Sequence, residues 1–538
     1  MAMNTGTVSL EIQSMLHALE AGQEDDARAQ AQSILGRAPG EPNASQVLAM
    51  LLLQEGKARD ALPHLEAADR AAPHHPPILN MMGSALKRLD RIDDAREQFG
   101  RAIAQDAQFI DARLNLAQLD FDEARIEDAK SSYDFVLDLQ PNNVTAIVGR
   151  GRVALALHET EQVRDLMEQA LRLQPGHGLA SLTLAAAYLR LEEFESAVEL
   201  ALPLVTEDQL SAINRAYAAG HVADAYDRLG LYDKAFEHYA LANDLQADQF
   251  ENFGSFDASP FSPAVVENLS RHLESATTIS VPPCGAGARM PVFLVGFPRS
   301  GTTLIEQILM SHPKITSFDE HTALSDTCFD LYVGDDALNK FDELDEHACA
   351  DRRDRYWQEI NKLGELDDDA VFLDKLPLNS VFLPAIAKIF PRAKVLFALR
   401  DPRDVVLSCF QQRFGMNVAM YQLLSLETAA QYYDATMKLA MKARSMNEFA
   451  LQVVRYETVV ANTVDEARRA IEFIGLEWDP AVMSYRENAR ARAISTPSAP
   501  QVVEPIYTRS QGKWKNYAVQ MAIVDEILEP WVERFGYA

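Results

Sequence analysis

A period of 34 residues runs through the first 250 positions and constrains the fold more than any other feature of the chain. Counted from residue 76, the expected small and large positions fall on Leu79, Met82, Gly83, Leu86, Ala95, Phe99 and Ala102. The unit from 110 repeats the register with Leu116, Ala117, Ala129, Tyr133 and Pro141, and the unit from 42 with Leu48, Ala49, Leu52, Ala61, Ala68 and Pro73. It continues from 144 (Gly151, Ala170, Pro175) and from 178 (Leu184, Ala185, Tyr188, Ala197). After a slip of four residues it resumes at 216 with Ala223, Tyr226, Ala235, Tyr239 and Ala242, and a weaker first unit near residue 8 carries Ala27, Ile34 and Pro39. One such unit cannot bury its apolar face alone, so neighbouring units must stack. Small residues let paired helices approach, large ones fill the gap, and Pro ends the second helix.

Thirty-four is the tetratricopeptide period. About seven stacked helical pairs over residues 8–248 are therefore expected, curving into an all-α superhelix with a concave face. Every residue named above is read as core packing. Arrays of this kind bind a peptide or a partner protein, so the array points to a proteinaceous partner, either the acceptor of the chemistry below or a tether. Residues 249–290 read as a linker. FGSFDASPFSP and VPPCGAGARM are rich in turn formers, and PAVVENLSRHLESA between them is an amphipathic helix.

From 291 onward strand and helix patterns alternate, as in a parallel α/β sheet. Strand candidates are 291–296, 371–373, 394–399 and 451–455. The first runs into PVFLVGFPRSGTT, an apolar strand, a turn bounded by Gly296 and Gly301, and an amphipathic segment with Leu304, Ile305, Ile308 and Leu309. Backbone N–H groups in such a turn and the positive end of the following helix hold a phosphate. The Gly-x4-Gly spacing is that of a P-loop, yet Thr302 stands where a nucleotide triphosphatase carries Lys, and the cation is Arg299 inside the turn.

This stretch resembles the 5′-phosphosulfate loop of sulfotransferases that use 3′-phosphoadenosine 5′-phosphosulfate (PAPS). KVLFALRDPRDVVLSCF at 394–410 is similar to the family's second phosphate element, with Arg400 and Ser408 eight residues apart. The likeness spans 291–538 and is nearest to tyrosylprotein-type and bacterial repeat-fused sulfotransferases. It implies a multidomain chain: a tetratricopeptide superhelix, then a P-loop-like α/β sulfotransferase domain that moves a sulfuryl group from PAPS to a hydroxyl on a protein, peptide or glycan.

The resemblance also implies the residue roles. Pro298, Arg299, Ser300, Gly301, Thr302 and Thr303 would cradle the 5′ end of the donor, and Arg400 with Ser408 would grip its 3′ phosphate. Glu320, 21 residues after Arg299, stands at the family's spacing for the general base, with His321 as a rival because imidazole has the better unperturbed pKa. Lys375, in VFLDKLPLN at a strand end, would neutralise charge beside Arg299. Tyr456 in RYETVV would meet the adenine end. Ser498 would touch the sulfuryl, with Thr496 or Ser495 as alternatives around the Pro497–Pro500 insertion, and Arg509 would belong to the closing loop over the donor. Arg403 and His312 are read as structural.

Composition narrows the partners. A formal net charge of −29 argues against nonspecific binding to nucleic acid or an anionic membrane. The four cysteines show no CxxC or zinc-ligand spacing, and direct sulfuryl transfer calls for no metal, so none is expected. With no secretory-type leader pattern and no apolar run of spanning length, a cytoplasmic protein is expected. Two other functions compete: a P-loop kinase using ATP, disfavoured by the missing loop Lys, and a repeat scaffold with an inactive nucleotide-binding tail. Oligomeric state is not written in the sequence.

Overall fold

A computed structural model of the chain describes residues 5–250, 259–274, 278–285, 287–318, 320–367, 369–446, 450–490 and 509–538. It divides into two compact units, residues 1–200 and 201–538. Among the described residues no helix is long and apolar enough to cross a membrane.

The first unit is helical throughout, from Thr5–Glu20 to Phe194–Ala201, in six successive helical pairs. Its repeat is visible in the backbone. Gly22, Gly56, Asp90, Ala124, His158 and Glu192 all take positive φ, between 57° and 76°, at the turn inside each pair. These positions are 34 residues apart. The next, Gly230, stands 38 on, which carries the four-residue slip read from the sequence. Left-handed backbone at a fixed period means that each pair closes with the same turn, even where the residue is Ala or His and the conformation costs about 1–2 kcal/mol. The alanines at the crossing positions, Ala49, Ala61, Ala95, Ala117 and Ala129, are all fully buried.

The second unit contains a five-stranded, all-parallel sheet in the order β2-β3-β1-β4-β5. The strands are β1 (Val292–Val295), β2 (Ile315–Thr316), β3 (Val371–Lys375), β4 (Lys394–Leu399) and β5 (Leu451–Arg455). All four strand candidates form, and β2, two residues long, is too short to leave a sequence pattern. Alternate residues serve opposite faces, as strand geometry requires. Phe293, Val295, Val395 and Phe397 join one core with the helix Leu426–Met446. Val292, Leu294, Leu396 and Ala398 join the other with the helices Thr302–Leu309 and Thr463–Ile474. β1 is central, so the chain builds outward on both sides of it. The crevice above the carboxyl ends of β1, β3 and β4 is where such sheets bind ligands.

The seventh helical pair, Ala212–Arg228 and Tyr232–Phe250, belongs to this second unit. Its contacts explain why. The mostly buried Arg413, just past the helix Pro402–Gln411, pairs with Asp224 at 2.5 Å, and Tyr239 also donates to Asp224 at 2.8 Å. Gly220 makes room: a Cβ there would lie 2.4 Å from Arg413 Nη1. Asp227 takes Lys513 at 2.9 Å and the Tyr517 hydroxyl at 2.6 Å. Asn243 Nδ2 donates to the Phe410 carbonyl at 2.9 Å, and Phe236 stacks on Phe410.

Removing this pair would take the partners of Arg413, Lys513 and Tyr517 and uncover the apolar core that Ala223, Ala235 and Tyr239 close, and apolar burial is the main favourable term in domain stability. A chain beginning at residue 201 is expected to melt in one cooperative transition with near-ultraviolet dichroism intact. A chain beginning at 291 is expected to lose both, and an equal melting temperature for the two would refute the dependence.

Candidate active site

The turn from β1 runs through residues 296–301 into the helix Thr302–Leu309. Gly301 caps that helix at φ +90°, and a Cβ on it would lie 2.5 Å from Tyr456 Cδ2. Glycine here both permits the left-handed turn and lets the Tyr456 ring rest on it. Arg299 takes φ +68°, a strained conformation for a residue with a side chain. Its neighbours hold it there: Arg299 Nε donates to Ser408 Oγ at 3.0 Å, and its carbonyl accepts from Arg400 Nη1 at 3.0 Å.

Arg400 connects the rest. It leaves the end of β4, donates through Nη2 to the Ser510 carbonyl at 2.5 Å, and lies 4.9 Å from the Tyr456 ring centroid. The Tyr456 hydroxyl is 2.8 Å from Ser510 Oγ. Arg299, Gly301, Arg400, Ser408 and Tyr456, up to 157 positions apart in the chain (456 − 299), therefore form one connected cluster. The Arg400 side chain is buried, and its Nε has no hydrogen-bond partner among the described residues. An orphaned guanidinium N–H beside a turn that a Cβ would fill fits an anionic ligand such as a nucleotide phosphate.

The C-terminal segment is tied to this cluster by Asp404, which accepts from Gly512 N at 2.6 Å and Trp514 N at 2.9 Å. Burial pushes the Asp404 carboxyl up, while Arg400 and those two N–H groups pull it down. Arg403 turns away to Asp401 and the Tyr537 carbonyl, both at 2.8 Å, and covers the Trp514 ring. Lys513 is engaged by Asp227 and Gln411. Arg509 is exposed at the edge of the described segment. Ser498, with Thr496 and Ser495, lies outside the described residues.

Beside the turn, the strand register brings up a second group. Leu294 of β1 stands opposite Lys375 of β3, so the Lys375 side chain emerges level with the turn. Its ammonium, 0% exposed, donates to Glu320 Oε1 at 2.8 Å and lies 3.2 Å from Glu306 Oε2. Ser317 Oγ donates to Glu306 Oε1 at 2.9 Å. Burial pushes the Glu306 carboxyl up to about 7, against the pull of Lys375 and Ser317. Burial acts to lower the Lys375 ammonium, but the two carboxylates more than offset it and hold it above its ordinary range.

Next door, Asp374 accepts from the Tyr356 hydroxyl at 2.7 Å and Asn379 at 3.0 Å, and burial raises its carboxyl. His321 is packed flat against Phe372, with Nε2 3.9 Å from Asp374, too far for a hydrogen bond. Of the two candidate bases, Glu320 lines the cleft together with Arg299, Pro298, Thr302 and Thr303. Leu376, Leu378, Phe414 and Met420 give the same cleft an apolar wall, next to Asn417. His312 sits away from it, with Nε2 2.9 Å from the Glu477 carbonyl.

Sequence reasoning missed Glu306, Asp404, Ser510 and the apolar wall. One signal was available for Glu306, an acid flanked by Ile305 and Ile308 inside an amphipathic helix. The others are joined to the site by contacts with no local pattern.

Comparison with known proteins follows the same division of the chain. Residues 291–480 match the model of the sulfotransferase family, and residues 52–119 that of the tetratricopeptide repeat. An uncharacterized protein of Aquifex aeolicus is 25% identical over 404 residues, covering 70% of this chain and 49% of its own length. Protein-tyrosine sulfotransferase A of Caenorhabditis elegans is 23% identical, over 46% of this chain and 67% of its own. Protein-tyrosine sulfotransferase 1 of Danio rerio is 27% identical, over 46% of this chain and 72% of its own. The match thus spans about half the length of the Aquifex protein and most of the two animal proteins. A repeat array ahead of a sulfotransferase-type sheet, both matched, makes this chain one that fits a tetratricopeptide-repeat sulfotransferase family.

Proposed function

We propose that the second unit transfers a sulfuryl group from PAPS to a hydroxyl acceptor, with tyrosine in a protein or peptide as the acceptor class. The observation that carries this reading is the connected cluster of Arg299, Arg400 and Ser408, together with the cleft that Arg299 shares with Glu320, the partner of Lys375. In this reading residues 298–303 cradle the 5′ phosphosulfate. Arg400 and Ser408 take the 3′ phosphate, Tyr456 supports the adenosine, and Arg509 closes over the donor. Glu320 accepts the acceptor proton, while Arg299 and Lys375 neutralise charge on the leaving oxygens. Ser498 keeps its proposed contact to the sulfuryl.

The apolar wall of Leu376, Leu378, Phe414 and Met420 suits a phenol, whose ring it would cover while the hydroxyl meets Glu320. The animal relatives are protein-tyrosine sulfotransferases, which supports the same acceptor. The repeat array would recruit the acceptor protein or a partner that carries it.

Two measurements test this. Thermal unfolding with 3′-phosphoadenosine 5′-phosphate is expected to show stabilisation of about 2.7 kcal/mol at 100-fold excess over Kd. ADP should give far less, and Arg400→Ala should abolish the effect. Stabilisation by ADP alone would sink the reading. In turnover assays with PAPS and a tyrosine peptide, Glu320→Gln should lower kcat by about 10²–10⁴-fold with the nucleotide effect intact. A variant with normal kcat would take Glu320 out of the reaction.

A further inference from the structure

Resting on the sulfuryl-transfer reading above, we propose that Glu306 is a positioning residue for Lys375, the second carboxylate that keeps the ammonium charged and in place while Glu320 changes charge. Lys375 is 0% exposed and Glu306 only 4%, so water cannot stand in for either partner. The ammonium meets one carboxylate from the helix Thr302–Leu309 and one from the loop after β2. Glu320 lines the cleft, whereas Lys375 and Glu306 are both buried beside it, and Glu306 is anchored by Ser317.

The reaction gives that arrangement a task. The bond from sulfur to the acceptor oxygen forms, and the bond from sulfur to the 5′-phosphate oxygen breaks with its electron pair leaving on the phosphate. The acceptor proton passes to Glu320. At that moment Lys375 loses one of its two counter-charges. A buried ammonium without a carboxylate gives up its proton, and the leaving oxygen would then face a neutral amine. Glu306 supplies the remaining charge, and the trio moves from −1 to neutral as negative charge develops on the leaving group. Among the described residues, the titratable groups beside this trio include Asp374 on β3, satisfied by Tyr356 and Asn379, His321 next to Glu320, and Arg299, which shares the cleft with Glu320.

The proposal has a pH signature. Glu306 ionises near 7, so below that it holds a proton and a glutamine there copies it. Above it, only the native residue supports Lys375. The experiment compares Glu306→Gln with wild type for kcat across pH, using PAPS and a tyrosine peptide. Near pH 6 the two should agree within about 2-fold, and near pH 8.5 the variant should be about 10-fold slower, which is ~1.4 kcal/mol. Its alkaline limb should move to lower pH, because a lysine with one counter-charge loses its proton earlier. Donor KM should be unchanged.

Ser317→Ala, which keeps the carboxylate and removes only its hydroxyl donor, should show a smaller loss in the same pH range. A rate ratio constant across pH would overturn the proposal, because it would make Glu306 a packing residue. A readout free of turnover stands beside this. A carboxyl raised in the folded state binds protons there that the unfolded chain has released, so wild-type stability should fall as pH rises from about 5 to about 7. Glu306→Gln should lack that loss, and parallel stability curves for the two proteins would also overturn the proposal. A wild type that binds the bisphosphate nucleotide but transfers nothing would instead remove the function, and this role with it.

Discussion

An ammonium removed from water stays charged only when carboxylates surround it, and Lys375 meets that condition by drawing three separate pieces of chain together. β3 brings the lysine, the helix behind the turn brings Glu306, and the loop after β2 brings Glu320. Neither β3 nor the helix can shift without taking a buried charge from its partner. The phosphate-type turn at 296–301 is thus fixed from behind, because the helix that leaves it is pinned through Glu306. The same ion pairs aim Glu320 into the cleft. A feature that stabilises the fold and a feature that arms the site are one set of contacts.

Arg400 does comparable work on the other side of β1. Its guanidinium joins the Arg299 carbonyl, the Ser510 carbonyl and the Tyr456 ring, so the ends of β4 and β5 and the C-terminal segment meet at the turn. The strain at Arg299, a non-glycine residue at φ +68°, persists because these neighbours over-determine it. The helix Ala212–Arg228 extends the same logic outward. Asp224 holds Arg413, next to the cleft wall at Phe414, and Asp227 holds Lys513 and Tyr517 in the C-terminal segment. A helix whose sequence continues the repeat thus braces two borders of the site.

Much of this was legible in the residues. The 34-residue period located the helical pairs, including the four-residue slip that the backbone repeats at Gly230. Apolar runs located β1, β3, β4 and β5, and Gly-x4-Gly located the turn. These features are local: a helix face, a strand run or a tight turn is decided by neighbours a few positions away. Glu306 was not legible in the same way. An acid within an amphipathic helix reads as a surface residue until its partner, 69 positions on (375 − 306), is known. Asp224 and Asp227 are plainer cases, since nothing near them in the chain mentions Arg413 or Lys513.

The sequence alone therefore determined the period, the order of helix and strand, and which side chains could bind an anion or take a proton. Tertiary structure decided which of them meet. Parallel pairing of β1 with β3 and β4 sets Leu294 against Lys375 and Val295 against Phe397, and so brings Arg299, Lys375 and Arg400 to one edge of the sheet. It also decided which charges are buried, and burial, through the loss of water, is what turns Glu306 and Lys375 from ordinary surface types into a coupled pair.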